Sequence, residues 1–243
     1  DNPTHLRLFQ LEAQSGSALS HPNIISMFDF GMIATQPYLV MEFINGPSLA
    51  DAIKQAGLLP LDRALRIFLQ VCYGVEYAHA HGIIHRDLKP SNLMLQQASN
   101  GDEVVRVVDF GIAKIIPQGN EELERLTQTG EYFGTSYYMS PEQCMGLGVD
   151  ARSDIYAVGC IMYEVFTGQP PFVGDNTLDT LQKQIHEPAR SLSDARADLR
   201  LVPQLEKVVM KALEKDARCR YSSMGELRHG LMEVYDRLAA SIS

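Results

Sequence analysis

Between Ile155 and Phe166 the chain reads Ile-Tyr-Ala-Val-Gly-Cys-Ile-Met-Tyr-Glu-Val-Phe, with Glu164 as its single charge. The run is far shorter than the ~20 residues needed to cross a bilayer. It also lacks the polar stripe of a helix lying on a surface. A segment of this kind is stable only as a helix enclosed on most sides, so the rest of the chain has to supply a shell. With 243 residues, 45% of them apolar, the chain can bury a substantial core as one large domain or two small ones. A charged fraction of 21% lies close to the globular average and excludes general disorder.

The shell is legible as further periodic segments. Residues 3–19 predict a helix through Leu6, Phe9 and Ala13, ended by His21-Pro22, because the residue before proline avoids helical geometry. Helical patterns recur over 48–56, 61–81, 176–187, 203–214 and 223–239, besides 153–167. The second of them is apolar at Ala64, Ile67, Phe68, Val71, Val75 and Ala78. Ile24–Phe30 and Tyr38–Phe43 predict two neighbouring strands, and Ile83-Ile84, Leu93–Leu95 and Val104–Val108 are brief strand-like runs. From Gly111 to about Gly148 the sequence is rich in Gly, Thr, Ser and Gln, and a loop of that length inside a domain is usually functional or disordered. The class is therefore α+β: a small strand-containing front end joined to a larger helical body, with a cleft between them suited to a ligand.

Net charge is −9. An acidic chain argues against nucleic acid as the main partner, since phosphate backbones are held by clustered Lys and Arg. Cys72, Cys144, Cys160 and Cys219 are widely spaced without a Cys-x-x-Cys, so neither a zinc site nor a disulfide framework is expected. Reduced thiols and the absence of an apolar span predict a cytoplasmic segment. The start Asp1-Asn2-Pro3, with no initiator Met and no basic-then-apolar leader, suggests that the protein begins earlier.

The chemistry concentrates in His85-Arg86-Asp87-Leu88-Lys89-Pro90-Ser91-Asn92. Seventeen residues after Asn92 comes Asp109-Phe110-Gly111, and thirty-three after Asp109 comes Glu142 in Ser140-Pro141-Glu142. A lone Asp-Phe-Gly is usually only a turn. The ordered set at this spacing resembles the signature of protein kinases, and the resemblance runs through nearly the whole chain. It implies a two-lobe kinase fold, with residues 1–44 as the remainder of the small lobe and hinge and 45–243 as the large lobe. It also implies transfer of the γ-phosphate of ATP, with Mg²⁺ or alternatively Mn²⁺, where catalysis is mostly positioning and charge neutralisation. Asp87 would orient the attacking hydroxyl and take its proton, and Lys89 would offset charge on the transferring phosphate. Asn92 and Asp109 would hold the metal through hard oxygen atoms. Lys89-Pro90 resembles serine/threonine kinases, and Thr135 matches the threonine that bonds the catalytic Asp and Lys there.

The same resemblance places Met41 as gatekeeper, the Glu42 carbonyl and Ile44 N–H against adenine, Ser48 near the ribose and Met94 beneath the base. Met94 could equally be ordinary core. Glu12 matches the helix glutamate that normally pairs with a strand lysine, and Met27 would stack beside Phe110 and His85. Asp154 would fix the catalytic-loop backbone from below, and Arg220 would pair with Glu142. Arg86 calls for an anion, which a phosphothreonine would supply. Thr127 and Thr129 resemble the paired loop threonines of bacterial PknB-like kinases, with Lys114 completing the pocket and a kinase dimer as the route to autophosphorylation in trans.

The family's glycine-rich loop and strand lysine are not among these residues: no glycine precedes Gly16 and no lysine precedes Lys54. Gly16 also stands where kinases usually carry an apolar residue. Three readings compete. One is a catalytic domain without its first three strands, weak or inactive as this fragment and in a parent protein with a membrane anchor elsewhere. A pseudokinase or scaffold that binds partners is the second. The third is an aminoglycoside-phosphotransferase-like small-molecule kinase, against which Lys89, Ser140-Pro141-Glu142 and the threonine-bearing loop argue.

Overall fold

The computed structural model of the chain describes residues 19–33, 36–110, 136–196 and 202–242. The helix predicted over 3–19 lies almost wholly outside them. Strand β1 (Met27–Ile33) pairs antiparallel with β2 (Gln36–Met41), from Met27 opposite Met41 to Ile33 opposite Gln36, with a bulge between Met27 and Asp29. The sequence places the first strand three residues too early. Ile24 instead makes a parallel bridge to Val107, and the Ile25 N–H donates to the Val107 carbonyl at 3.0 Å. This apolar pair is spent on joining the front end to the second sheet.

That second sheet is β3 (Leu93–Gln97) against β4 (Glu103–Val107), also antiparallel. Its inward residues Leu93, Leu95, Val105 and Val107 are buried, on the alternation a one-sided strand requires. Ile83-Ile84 form no strand; they lie in irregular chain leading into the His85–Asn92 segment.

The helical body follows the sequence closely. Helix α1 (Leu49–Ala56) starts with a capping box, in which Ser48 and Asp51 satisfy each other's backbone N–H groups. Helix α2 (Leu61–Ala80) buries the predicted stripe against β4. A single 3₁₀ turn, Ser136–Tyr138, precedes the short helix α3 (Pro141–Cys144), capped by Ser140. Helix α4 (Ala151–Thr167) buries thirteen of its seventeen residues, which leaves it no wet face. Helices α5 (Thr177–His186), α6 (Leu192–Ala195), α7 (Pro203–Ala212) and α8 (Met224–Ile242) complete the shell. Helix α8 packs on α2, and α7 packs on α4. There the backbones approach closely: a β-carbon at Gly159 would stand 3.0 Å from that of Ala212. The short helices α3 and α6 fall inside stretches that read as loop, one turn being too brief for a periodic signal.

The core runs continuously from Leu19 and Ile24 through α2, β3, β4 and α4 to α8. Phe68 of α2 and Phe166 of α4 meet at its centre with ring centroids 5.9 Å apart. The four cysteines are unpaired, with Cys72 and Cys160 buried. Truncating Phe68→Ala leaves a cavity in this fully enclosed layer and is expected to cost about 3–5 kcal/mol of stability, read as a lower midpoint in urea denaturation.

Candidate active site

His85 to Asn92 form a loop between α2 and β3, and its shape is set from beneath. The Asp154 carboxylate on α4 is 1% exposed and accepts three hydrogen bonds. His79 Nε2 and the His85 N–H reach Oδ2 at 2.7 and 2.8 Å, and the Arg86 N–H reaches Oδ1 at 2.8 Å. Arg86 has φ of +64°, a left-handed conformation that a residue with a β-carbon rarely adopts. It is held there from both sides, because its carbonyl accepts the Gln143 amide at 2.8 Å.

His85 is fully buried, and its tautomer follows from its neighbours. The Val108 carbonyl, 2.9 Å from Nε2, can only accept, and the Asp87 N–H, 3.3 Å from Nδ1, can only donate. The ring is therefore neutral with its proton on Nε2, and burial lowers its pKa in keeping. Phe110 stacks on it with centroids 4.7 Å apart. Met27, Met41, Asp109 and Phe110 share one small crevice with Ile24, Ile25 and Leu39.

Above this base lie the polar groups. Lys89 Nζ is 3.0 Å from Asp87 Oδ2. Asn92 is buried, and its side-chain N–H donates to the Asp87 carbonyl at 2.9 Å. The Asn92 carbonyl accepts the Val108 N–H at 3.0 Å, which brings Asn92 alongside Asp109. Asp109 is the second residue with a β-carbon held at positive φ, +59°. Arg86 and Asp109 are the two residues with a β-carbon at positive φ among those described, a conformation kept only where the surroundings hold it. Asp87, Lys89, Asn92, Asp109 and Phe110 thus come together as their spacing predicts.

The residues expected at the hinge follow β2. Met41 is partly exposed, and the Glu42 N–H donates to the Ser26 carbonyl at 2.8 Å. The Glu42 side chain meets Arg106 of β4 at 3.4 Å, a pair the sequence does not reveal. No backbone partner among the described residues engages the Glu42 carbonyl or the Ile44 N–H. Ile44 packs with Ile25 and Val108, and Met94 lies against that cluster. A β-carbon at Gly46 would overlap the Leu95 carbonyl, so the chain crosses β3 there only as glycine. The Ser48 hydroxyl donates to Asp51 Oδ2 at 2.6 Å in the α1 cap, so its first partner is the helix start.

Glu142 and Arg220 form a two-pronged pair at 2.7 and 2.8 Å. The Arg220 side chain is fully buried, and its other N–H groups go to the carbonyls of Arg152, Glu214 and Lys215, so all five donors are met. Burial works to raise the Glu142 pKa, but hydrogen bonds from Arg220 and Ser153 outweigh it and hold the group down at about 2. Glu12, Lys114, Thr127, Thr129 and Thr135 lie outside the described residues. His79, Gln143 and Ser153, which hold the loop and the Glu142 pair, are missed by motif reading. Gln143 alone leaves a trace, as the fourth position of a Ser-x-x-Gln capping box.

Comparison with known proteins agrees with this geometry. The family described as "Protein kinase domain" matches residues 2–232. The serine/threonine-protein kinase PknB of Mycolicibacterium smegmatis is 39% identical over 240 residues, covering 97% of this chain and 37% of that protein. PknB of Mycobacterium tuberculosis is 38% identical over 243 residues, with the same two coverages. A probable PknB of Lactococcus lactis is 41% identical over 220 residues, covering 90% and 33%. The chain thus spans about a third of the length of these relatives. Among solved structures, Rad53 1-466 in complex with AMP-PNP superposes with a TM-score of 0.74 at 24% identity, over 92% of this chain and 54% of that one.

Removing one half of the Glu142–Arg220 pair leaves the other charge buried alone, so Arg220→Ala is expected to cost about 3–5 kcal/mol in equilibrium unfolding. Because the folded pKa of Glu142 is about 2, below its ordinary 4.5, the group stabilises the fold above pH 4.5. That contribution is lost as pH falls from 4.5 towards 2. Glu142→Gln is expected to flatten the loss of stability across that window, measured by denaturation at stepped pH.

Proposed function

The chain belongs to the protein kinase domain family, and on that premise we propose that the protein transfers the γ-phosphate of ATP to serine and threonine hydroxyls of other proteins. Its fold is that of protein kinases, and its relatives are bacterial serine/threonine kinases of the PknB type. The observation that carries the proposal is the Asp87 carboxylate, fixed 3.0 Å from the Lys89 ammonium on a loop whose backbone is locked by Asp154. A base beside a fixed positive charge suits a hydroxyl that must lose a proton as it meets a phosphate.

Members of this family use ATP and a divalent cation, and the residues present fit both. The Asn92 amide nitrogen is spent on the Asp87 carbonyl, so the side-chain oxygen is its coordinating end. Together with the Asp109 carboxylate this makes a donor set of hard oxygens, suited to Mg²⁺ that keeps part of its shell for water and phosphate. When bound, the cation would neutralise phosphate charge. The chain's own part is to hold these oxygens, place Lys89 against the transferred group and accept the proton at Asp87. The Glu42 carbonyl and Ile44 N–H supply an acceptor and a donor for adenine, with Met41 at the rear, Met94 beneath and Ser48 towards the ribose. The small lobe and hinge would be 1–44, and the large lobe 45–243.

Phosphorylation of Thr127 and Thr129 is part of the same proposal. Arg86 Nε is buried with no hydrogen-bond partner among the described residues, and a phosphate would give the guanidinium its anion, with Lys114 beside it. A dimer would deliver the phosphate in trans. No helix among the described residues is long and apolar enough to cross a membrane.

In the full-length protein, Asp87→Asn is expected to lower kcat on a serine/threonine peptide by roughly 10²–10⁴-fold while nucleotide binding persists. A wild-type full-length protein that neither binds ATP nor phosphorylates any Ser/Thr substrate would sink the enzyme reading in favour of a scaffold. The 243-residue chain by itself, without a glycine-rich loop or a lysine before Lys54, is expected to bind nucleotide weakly and show little transfer. Mass spectrometry of active full-length protein is expected to find phosphate on Thr127 or Thr129, and finding neither would remove that part of the proposal.

A further inference from the structure

Strand β4 ends two residues before Asp109, and the edge it turns away from β3 carries no full strand among the described residues. An open edge presents N–H and C=O groups in need of partners. Here they are met one by one. Gln70 of α2 supplies two partners with a single side-chain amide. Its Nε2 lies 3.0 Å from the Glu103 carbonyl, and its Oε1 lies 3.0 Å from the Val105 N–H. A carbonyl only accepts and a backbone N–H only donates, so the amide has one orientation. Asn23, which is buried, continues the line. Its side-chain nitrogen donates to the Val105 carbonyl and to Gln70 Oε1, both at 3.0 Å. Its own carbonyl accepts the Val107 N–H at 2.9 Å, and the Ile25 N–H reaches the Val107 carbonyl at 3.0 Å. Two side-chain amides and a short stretch of main chain thus stand in for a third strand.

Helix α2 is built to deliver that amide. Arg63, Gln70 and Gly74 are spaced by seven and four residues, which sets them on one face of the helix. Arg63 clasps the Glu103 carboxylate at 2.7 and 3.0 Å. A β-carbon at Gly74 would stand 2.9 Å from the Asn23 carbonyl oxygen, so helix and residue 23 approach this closely only over glycine. The C-terminal end of α2 leads into the His85–Asn92 loop, while this face grips β4. One helix therefore places both the loop that carries Asp87 and the strand that leads to Asp109. The step between β4 and Asp109 has no slack. The Val108 N–H donates to the Asn92 carbonyl at 3.0 Å, and its carbonyl meets His85 Nε2 at 2.9 Å. Asp109 follows at φ +59°, and a strand free to slide or twist would let it relax. None of the phosphate, metal or proton chemistry described above uses Gln70.

We infer that Gln70 is a positioning residue for the divalent cation: by completing the outer edge of β4 it fixes where Asp109 leaves the strand. The inference rests on the kinase reading above. It adds to that reading a residue that acts on the metal site only through β4.

The experiment compares the full-length protein with Gln70→Met, which keeps the length of the side chain and loses its polar contacts. Beside it stands Ile67→Val, a change in a buried residue of the same helix that has no hydrogen bond to β4. Binding of a non-hydrolysable ATP analogue is followed as Mg²⁺ is titrated, together with kinetics on a serine/threonine peptide and hydrogen exchange of the Val105 and Val107 amides. In Gln70→Met the Mg²⁺ concentration at half-effect is expected to rise roughly tenfold, as when buried groups lose their partner, while peptide KM changes less than about twofold. Exchange at Val105 should quicken most, because that N–H loses its acceptor. Ile67→Val should leave the Mg²⁺ half-point where it is, despite its own loss of stability. Should Gln70→Met not fold, Gln70→Glu keeps an oxygen facing Val105, loses the donor to Glu103 and is expected to raise the half-point roughly threefold. An unchanged half-point in a folded variant, or an equal rise in peptide KM, overturns the inference. A wild-type protein whose analogue binding ignores Mg²⁺ overturns the kinase reading instead. In that case exchange at Val105 and Val107 alone decides whether Gln70 splints β4, and unchanged exchange rejects it.

Discussion

The Asp154 carboxylate is the interaction on which the rest of the site depends. Buried on α4, it meets His79 and two consecutive backbone N–H groups of the catalytic loop. An ionised carboxylate in such a place is costly unless fully bonded, and those N–H groups would be equally costly without it. The two requirements cancel only in one arrangement of the loop. That arrangement includes a left-handed Arg86, a conformation the chain would otherwise leave, and it fixes where Asp87 emerges. His85 passes the constraint on, because its neutral ring joins the Asp87 N–H to the Val108 carbonyl immediately before Asp109. Asp87 and Asp109 are thereby held in register by one histidine and one aspartate.

The Glu142–Arg220 pair does for the segment after the turn what Asp154 does for the loop before it. It joins residues 78 positions apart, and every polar atom of the guanidinium is bonded. A fully satisfied buried pair of this kind adds little net stability against an apolar alternative of the same shape. Its value lies in what it forbids, since no other placement of α3 leaves both charges partnered. The Glu42–Arg106 contact at the hinge is longer and more exposed, so it constrains less.

Element type was readable wherever one side chain period ruled. The stripe on α2 and the unbroken apolar run of α4 each carry their own evidence. Element limits failed where an apolar residue had a distant partner: Ile24-Ile25 look like strand and instead bridge to Val107, and Ile83-Ile84 look like strand and lie in irregular chain. The motif residues came together because their spacing encodes a loop, a hairpin and a turn. The roles of Ser153 and His79 were not readable, since a polar residue inside a helix names no partner. Asp154 was legible as needing donors, while the identity of two of them as backbone groups came from the kinase resemblance.

These cases share a geometry that explains why α4 is apolar yet not uniformly so. Four of its polar residues each reach a different segment: Ser153 reaches Glu142 on α3, Asp154 the His85–Asn92 loop, Tyr156 the Gln184 amide on α5 and Glu164 the 136–138 turn through Tyr138. Apolar packing is tolerant of small slides, because one methyl contact replaces another at little cost. Buried hydrogen bonds are not, because a shift of about 1 Å leaves a donor or acceptor in a low dielectric with nothing to meet it. The apolar positions of α4 therefore secure the body of the fold, and its few polar positions convert that rigidity into fixed coordinates for loops that carry no core of their own. A site that works by holding charges in place needs its loops no less rigid than its helices, and a buried helix studded with polar side chains is a direct way to provide it.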